Sequence, residues 1–168
     1  MLKAVLVLAL APGQEKIGNP EYAAWASCKP GSWVKHKMEM EAGGRKTEME
    51  MTTTLVEVTP EKVVVERKQT IAMAGRTIEV PAKKADIPAQ VEKGKGTVKV
   101  TETEEEVMVA GKTLKCKLAE TEMEQDGQKM QGKSWFTLEI PGGMAKSEFS
   151  SPRLKDPMKL TATGWEKK

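Results

Sequence analysis

Alternating apolar and polar residues run through most of the chain. After Trp33, for example, Val34, His36, Met38 and Met40 alternate with charged side chains. A period of two places one set of side chains on a dry face of a β-strand and the other set on a wet face. Because the strands of a parallel sheet covered by helices would be apolar on both faces, the pattern predicts an antiparallel sheet.

Glycine and proline divide this pattern into about nine strands that are joined mainly by short turns. The strand predicted over 45–58 changes phase after Leu55, which indicates a β-bulge there. Ala74-Gly75 and Ala110-Gly111 lie in two segments of similar sequence, and both are expected to be hairpin turns. The prolines and glycines between Pro81 and Gly96 predict the longest irregular segment.

One short helix is expected before the first long strand. Asn19 suits the N-cap, Pro20 the first helical position, and Glu21 the positive end of the helix dipole. Lys29-Pro30-Gly31 would end the helix. The chain is therefore predicted to be all-β and mainly an antiparallel meander, a strongly curved sheet or open half-barrel with this helix as a lid.

The first thirteen residues have the order of an export signal. Lys3 supplies a positive charge, residues 4–11 are apolar, and Ala11-Pro12-Gly13 provides the small residues that a signal peptidase reads. The apolar run is far shorter than the roughly 20 residues of a membrane-spanning helix. We expect residues 1–13 to be a signal peptide and residues 14–168 to be a single β domain, periplasmic or secreted and without a transmembrane segment. A buried N-terminal strand of a cytosolic protein is the alternative.

Charge and composition exclude some classes of function. The 27 basic and 24 acidic residues alternate finely along the chain. A nucleic-acid binder needs clustered Lys and Arg, usually with aromatic platforms for exposed bases. The sequence has neither, so we expect no nucleic-acid partner. With 11 Met against 2 Phe and 1 Tyr, the interior must be filled largely by flexible thioether side chains.

The chain has no recognisable catalytic or metal-binding motif. His36 is its one histidine, and without a nucleophile motif around it we interpret it as a core residue. Cys28, Cys116 and His36 lack the paired spacing of zinc ligands. The acidic run 102–106 lacks the shaped loop of a calcium site. We expect no enzymatic activity, no metal and no cofactor.

The two cysteines leave one question open. Exported domains usually oxidise an even number of cysteines, and a Cys28–Cys116 disulfide would add roughly 4 kcal/mol in the chain-entropy model. Cys116 is in phase with Leu114 and Leu118 and should therefore face inward. A buried free cysteine also serves as a small apolar residue, so the sequence does not decide between the two.

The inward face of the predicted sheet is the candidate ligand site. The residues that we expect to line it are Val34, Met38, Met40, Met49, Met51, Leu114, Leu118 and Trp135. Methionine can repack around acyl chains or around an apolar segment of a partner. A core that is simply filled by methionine is the alternative. The tryptophans could likewise rim a binding site or fill the core.

Two segments carry a resemblance to known proteins. Residues 135–146 (WFTLEIPGGMAK) and 109–116 (VAGKTLKC) resemble the C-terminal half of uncharacterised secreted bacterial proteins. Those proteins are similar to the periplasmic lipoprotein-carrier (LolA/LolB-like) superfamily. Its members are unclosed β-barrels with a helical lid over an apolar cavity, and the resemblance implies the same arrangement here.

The function expected from these observations is non-enzymatic binding. The leading hypothesis is an exported monomer whose Met-rich concave face holds a lipid, a lipidated segment or another hydrophobic ligand. The alternative is a structural or interaction protein of the cell envelope that has no small-molecule ligand.

Overall fold

The computed structural model describes residues 16–42, 44–92, 99–125, 128–152, 154 and 156–168. The predicted signal peptide lies outside the described residues. In chain order the elements are β1 (Lys16–Gly18), α1 (Pro20–Ala26), β2 (Trp33–Ala42), β3 (Arg45–Val58), β4 (Lys62–Met73), β5 (Arg76–Pro88), β6 (Gln90–Glu92), β7 (Lys99–Val109), β8 (Lys112–Gln125), β9 (Gln128–Phe136), β10 (Met144–Ser150) and β11 (Met158–Glu166).

Nine of these strands form one antiparallel sheet in the order β5-β4-β3-β2-β11-β10-β9-β8-β7. The short strands β1 and β6 pair separately with each other, a small sheet that the sequence did not predict. The sheet is not closed into a barrel, so β5 and β7 are its edges. The predicted fold class, an open antiparallel sheet with one short helix, is confirmed.

The sheet curves so strongly that its two halves share one core. Strand β7 contacts β11, although three strands lie between them in the sheet. Val63 and Val65 of β4 belong to the same buried cluster as Leu114 and Leu118 of β8. The concave face therefore encloses the apolar side chains that the period-two pattern placed inward.

The predicted turns and bulge are confirmed in the backbone. Ala74 and Gly75 have φ angles of 50° and 76°, and Ala110 and Gly111 have nearly the same angles, 48° and 75°. Two positive φ angles in a two-residue loop match the twist of the flanking strands. The register of β3 against β4 shifts after Leu55, where the bulge was expected.

The irregular segment expected between Pro81 and Gly96 is wrong for its described part, because β5 continues to Pro88 and β6 follows at Gln90–Glu92. Residues 93–96 lie outside the described residues. Arg67 of β4 pairs with Lys83 of β5, whereas Gln69 pairs with Val80, so Pro81 lies at a register shift. Strand β5 is also an edge of the sheet. Proline lacks an N–H group but is tolerated at a bulge on an edge strand, which explains why it does not end the strand.

Helix α1 begins as the sequence predicts. The Asn19 side chain accepts a hydrogen bond from the Glu21 N–H at 3.0 Å, and Pro20 occupies the first turn. Three hydrogen bonds attach the start of the helix to the strands beside it: Asn19 Nδ2 donates to the Pro88 carbonyl at 2.9 Å, the Asn19 N–H donates to the Ala89 carbonyl at 2.9 Å, and the Tyr22 hydroxyl donates to the carbonyl of Thr59, in the β3–β4 turn, at 2.8 Å. The helix is thereby held against the β3–β5 part of the sheet.

Candidate ligand-binding cavity

A cavity of about 1070 Å³ lies between helix α1, the concave face of the sheet and the loop that joins β9 to β10. This volume is slightly above the range of roughly 300–1,000 Å³ that is usual for small-molecule sites. The helix, the strands and the loop all contribute apolar side chains to its lining. These are Pro20, Ala23, Ala24 and Trp25 of the helix, Val34, Met51, Cys116, Phe136, Met144 and Leu160 of the strands, and Leu138 and Pro141 of the loop.

The glycines of the β9–β10 loop let it approach the helix. Gly142 and Gly143 have φ angles of +77° and +80°, which L side chains rarely adopt. A Cβ on Gly142 would lie 2.7 Å from Trp25 Nε1, and one on Gly143 would lie 3.0 Å from Ala24 Cβ. Trp25 is only 2% exposed. The contact therefore fixes the helix and the loop together at one side of the cavity.

An ion pair joins the helix to the sheet at the cavity. Arg67 of β4 donates from one terminal guanidinium nitrogen to Glu21 Oε1 of the helix at 3.3 Å. Both side chains are partly exposed, so the attraction is screened by solvent and contributes little to stability. Its effect is to orient the guanidinium group of Arg67 in the cavity wall.

His36 lies in the cavity wall with one ring nitrogen paired. Its Nε2 lies 2.9 Å from the carbonyl oxygen of Met144, and a carbonyl can only accept, so Nε2 carries the proton. Burial lowers the pKa of His36 below its ordinary value of 6.5, although the bond to Met144 acts in the opposite direction. The ring is therefore neutral at pH 7, and Nδ1 is a hydrogen-bond acceptor.

Two buried nitrogen atoms in this wall have no hydrogen-bond partner among the described residues: His36 Nδ1 and Arg67 Nε. The first is an acceptor and the second carries a donor N–H. Both residues line the cavity. Because native proteins pair nearly all of their buried polar atoms, two unpaired ones in one wall indicate a polar region in a largely apolar cavity.

Charged residues form the opposite wall, on β7 and β8. Glu104 lies opposite Lys117, and Glu106 lies opposite Lys115, so two cross-strand pairs have opposite charges. Glu105 accepts a hydrogen bond from Trp135 Nε1 at 2.9 Å. Among the described residues, four carboxylates and three cations line the cavity, which leaves a small negative charge around it.

The residues predicted to line a ligand site fall into three groups. Val34 and Met51 line the cavity. Leu114, Leu118 and Trp135 are buried in the core beside it. Met38, Met40 and Met49 are half-buried on the sheet and are not part of the cavity lining.

Strand register explains this division among the methionines. The cross-strand pairs Val34–Thr53 and His36–Met51 face the cavity, and the pair Met38–Met49 forms the next row along the strands. Alternation in the sequence identifies the face but not how far along it the helix reaches.

Some cavity residues were missed by the sequence reasoning. Arg67 and Leu160 line the cavity, but the sequence does not distinguish Arg67 from the many other alternating charges or Leu160 from the other residues of the last strand. Phe136, Leu138 and Met144 lie in or next to the segment that carried the family resemblance. That segment was the one feature of the sequence that could have identified these cavity residues, because it joins a strand, a Gly-Gly loop and the next strand.

Both cysteines are free thiols in the structure and both are buried. Cys28 Sγ lies 3.5 Å from the Ala24 carbonyl oxygen, to which it can donate. Cys116 lines the cavity, and burial, with a smaller effect of Glu139, raises the pKa of its thiol. Each thiol therefore packs in the core separately, and no disulfide joins the two cysteines.

The described part of the chain contains no group of three or more His, Cys, Asp or Glu residues that could hold a metal ion. It also contains no helix that is long and apolar enough to span a membrane.

Comparisons with known proteins found little similarity. No protein-family model matches the chain, and no curated protein matches it. One similar solved structure is a Bacteroides fragilis protein whose description proposes export and gives it a YmcC-like fold. It is 12% identical, with a TM-score of 0.48, over 83% of this chain and 97% of that chain.

Proposed function

We propose that this protein is a non-enzymatic binding protein that holds a hydrophobic ligand, such as the acyl chain of a lipid, between helix α1 and the concave sheet. The observation that carries the proposal is the cavity of about 1070 Å³ with its largely apolar lining. Most ligand sites are concave and mainly apolar, with a few polar groups that fix orientation.

The kind of side chain in the lining supports a ligand of variable shape. Met51 and Met144 lie in the lining with Leu160 and Leu138. Methionine has three rotatable bonds and a polarisable sulfur, so it adapts to irregular apolar surfaces. Flexible acyl chains are ligands for which such adaptation is useful.

The chemistry of the polar lining residues supports binding without covalent catalysis. A nucleophilic cysteine needs a depressed pKa, whereas burial raises the pKa of Cys116. His36 donates from Nε2 to a backbone carbonyl, and burial disfavours its charged form. We therefore propose that neither residue acts as a catalyst.

We also propose that the protein acts outside the cytoplasm, on the basis of the first thirteen residues. Their positive start, apolar run and small-residue exit have the order of a signal peptide. The intact mass of the exported protein tests this proposal. A chain that begins near Gln14 would support export, and a chain that retains residues 1–13 would contradict it.

A docking role in the envelope is the second candidate, and one observation favours it. Met108 is 75% exposed and Ile78 is 53% exposed, each beside one of the two similar hairpin turns. Exposed apolar side chains of this size are common at protein contacts. A docking role through these side chains would not depend on a ligand in the cavity.

A fluorescent acyl probe without a charged head, the methyl ester of dansyl-undecanoic acid, tests the main proposal against this second candidate. Wild-type protein should bind the probe saturably with one probe per chain and shift its emission to the blue. Met51→Trp places a large ring in the cavity and should weaken probe binding by roughly tenfold or more. Met108→Trp is the matched control, because Met108 lies outside the cavity lining, and it should bind as wild type does.

Two results would contradict the main proposal. One is the absence of saturable binding by the wild-type protein. The other is equal weakening by Met51→Trp and Met108→Trp, which would place the probe at a surface site rather than in the cavity.

A further inference from the structure

We propose that the ligand is an uncharged amphiphile whose head group carries hydroxyl groups, such as a monoacylglycerol, and that His36 and Arg67 bind this head. The inference rests on the proposed function, because it assigns a head-group site within the same cavity. It follows from the two unpaired nitrogen atoms in the cavity wall and from the charges around them.

The positions of the two residues make a shared site possible. His36 on β2 lies opposite Met51 on β3, and Thr53, one row further along β3, lies opposite Arg67 on β4. The two residues are thus separated by one strand and one row, roughly 12 Å between Cα atoms by standard sheet spacing. Side chains of this length can converge on one head group that has several oxygen atoms.

Hydrogen-bond complementarity selects the chemistry of the head. His36 Nδ1 is an acceptor because Nε2 donates to the Met144 carbonyl, so the ligand must supply a donor there. Arg67 Nε–H is a donor, so the ligand must also supply an acceptor. A hydroxyl group can do both. An ionised carboxylate or a phosphodiester has no donor for His36, and a quaternary ammonium group has neither.

The charges of the lining also favour an uncharged head group. The guanidinium of Arg67 is already paired with Glu21, and the two lysines on β8 lie opposite glutamates on β7. The remaining carboxylate, Glu105, gives the lining its small negative charge. An anionic head would therefore meet a lining that has more carboxylates than cations.

Head-group binding requires a small movement of side chains. Both nitrogen atoms have almost no accessible surface, although their residues line the cavity. Met51 lies next to His36 in the sheet, and its flexible side chain can move aside at little cost. The ligand would then form one hydrogen bond to each of the two nitrogen atoms. A buried polar atom without a partner destabilises the protein, so these two bonds would offset the cost of moving the side chain.

Three ligands with one acyl chain test the head-group preference. Monomyristoylglycerol has hydroxyl groups, methyl myristate has only acceptors, and myristate is an anion. Displacement of the dansyl probe should give the tightest Kd for monomyristoylglycerol, with methyl myristate at least roughly tenfold weaker, because methyl myristate has no donor for His36 Nδ1 and leaves that buried acceptor unpaired. Myristate should also bind more weakly than monomyristoylglycerol.

Two variants test whether His36 and Arg67 bind the head group. Arg67→Lys keeps a cation for Glu21 and removes Nε–H, and His36→Phe keeps a ring and removes the Nδ1 acceptor. His36→Phe should reduce the ratio of the methyl myristate Kd to the monomyristoylglycerol Kd by roughly three- to tenfold, because only monomyristoylglycerol has a donor for Nδ1. Arg67→Lys removes a donor that both ligands can use, so it should weaken the binding of both by a similar factor and leave the ratio unchanged. Arg76→Lys, an exposed site on the β4–β5 hairpin, is the matched control and should leave both affinities and their ratio unchanged. A ratio of two affinities does not depend on how much of a variant is folded.

The outcomes separate this inference from the proposed function. If all three ligands bind with equal affinity, the head-group site is wrong and the apolar cavity stands. If myristate binds most tightly, the head is anionic and the inference is overturned. If the ratio is unchanged in His36→Phe, or if Arg67→Lys leaves the affinity for both ligands unchanged, other residues recognise the head and the inference is overturned. If no ligand displaces the probe from wild-type protein, the proposed function fails as well.

Discussion

The indole nitrogen of Trp25 lies 2.7 Å from the point where a Cβ on Gly142 would stand. The helix and the β9–β10 loop therefore meet without a side chain between them. Because Trp25 is buried and Gly142 lines the cavity, this contact positions the helix over the sheet and determines how much space remains beneath it.

Gly142→Ala should destabilise the protein by about 3 kcal/mol, through backbone strain at φ +77° and overlap with the indole ring. Gly111→Ala is the matched control, because Gly111 has φ +75° and no heavy atom within 4 Å of its added Cβ. It should cost only about 1 kcal/mol, the backbone term alone. Urea unfolding of the two variants measures both values. Equal losses would show that the indole ring does not restrict position 142.

The sequence predicted the parts of the fold that depend on neighbouring residues. The alternation of apolar and polar residues predicted the strands, and its change of phase predicted the bulge after Leu55. The Ala-Gly pairs at 74–75 and 110–111 predicted the two hairpin turns. Each of these features follows from local side-chain direction or from backbone conformation. A single sequence is therefore sufficient to predict them.

Features that depend on distant contacts could not be predicted. Pro81 ends a strand in most contexts and is tolerated here because β5 is an edge strand with a register shift, which only the sheet order reveals. Likewise, alternation identified Met51 and Met49 as inward residues, but only the position of the helix separates one from the other. Arg67 carried no signal because charges occur throughout the chain.

Ala110→Asn should stabilise the protein by about 0.5–1 kcal/mol. The φ of Ala110 is 48°, a conformation that alanine adopts at a cost and that asparagine tolerates better, especially before glycine. Ala72→Asn is the control, because Ala72 is an exposed strand residue of β4 and asparagine is disfavoured in strands. The midpoints of urea unfolding compare the two. Stabilisation by Ala72→Asn, or loss of stability in Ala110→Asn, would contradict this explanation.

The stability of the protein should fall as the pH decreases below 6.5, in part because of His36. Burial lowers the pKa of folded His36, so between that lower pKa and 6.5 the unfolded chain binds a proton that the folded chain does not. The unfolding free energy therefore rises with pH across this window, by at most about 1.4 kcal/mol per pH unit, and the contribution is complete above 6.5.

Urea unfolding at several pH values in the wild type and in His36→Phe measures this contribution. The variant should have a shallower slope in the window, because it has no group that titrates there with a different pKa in the two states. His36 is the one histidine of the chain, so its ring signals in NMR also give its pKa directly. A midpoint at or above 6.5 would contradict the burial argument.

The two cysteines should both be free in the native protein. Thiol counting under denaturing, non-reducing conditions should give two thiols per chain, as the structure has them. Without denaturant, Cys116 should react slowly, because it is buried and burial raises its pKa. Occupation of the cavity by the dansyl probe should slow its alkylation further. A count of zero thiols would show that a disulfide forms.

Native mass spectrometry of the protein purified from the cells that make it tests the central claim most directly. If the cavity holds a ligand, the wild-type chain should carry an additional mass that denaturation releases, and the released molecule should be an amphiphile with an acyl chain. Met51→Trp should carry less of it, and Met108→Trp should carry as much as the wild type. A wild-type chain without added mass, purified together with another protein, would contradict the binding function and favour a docking role.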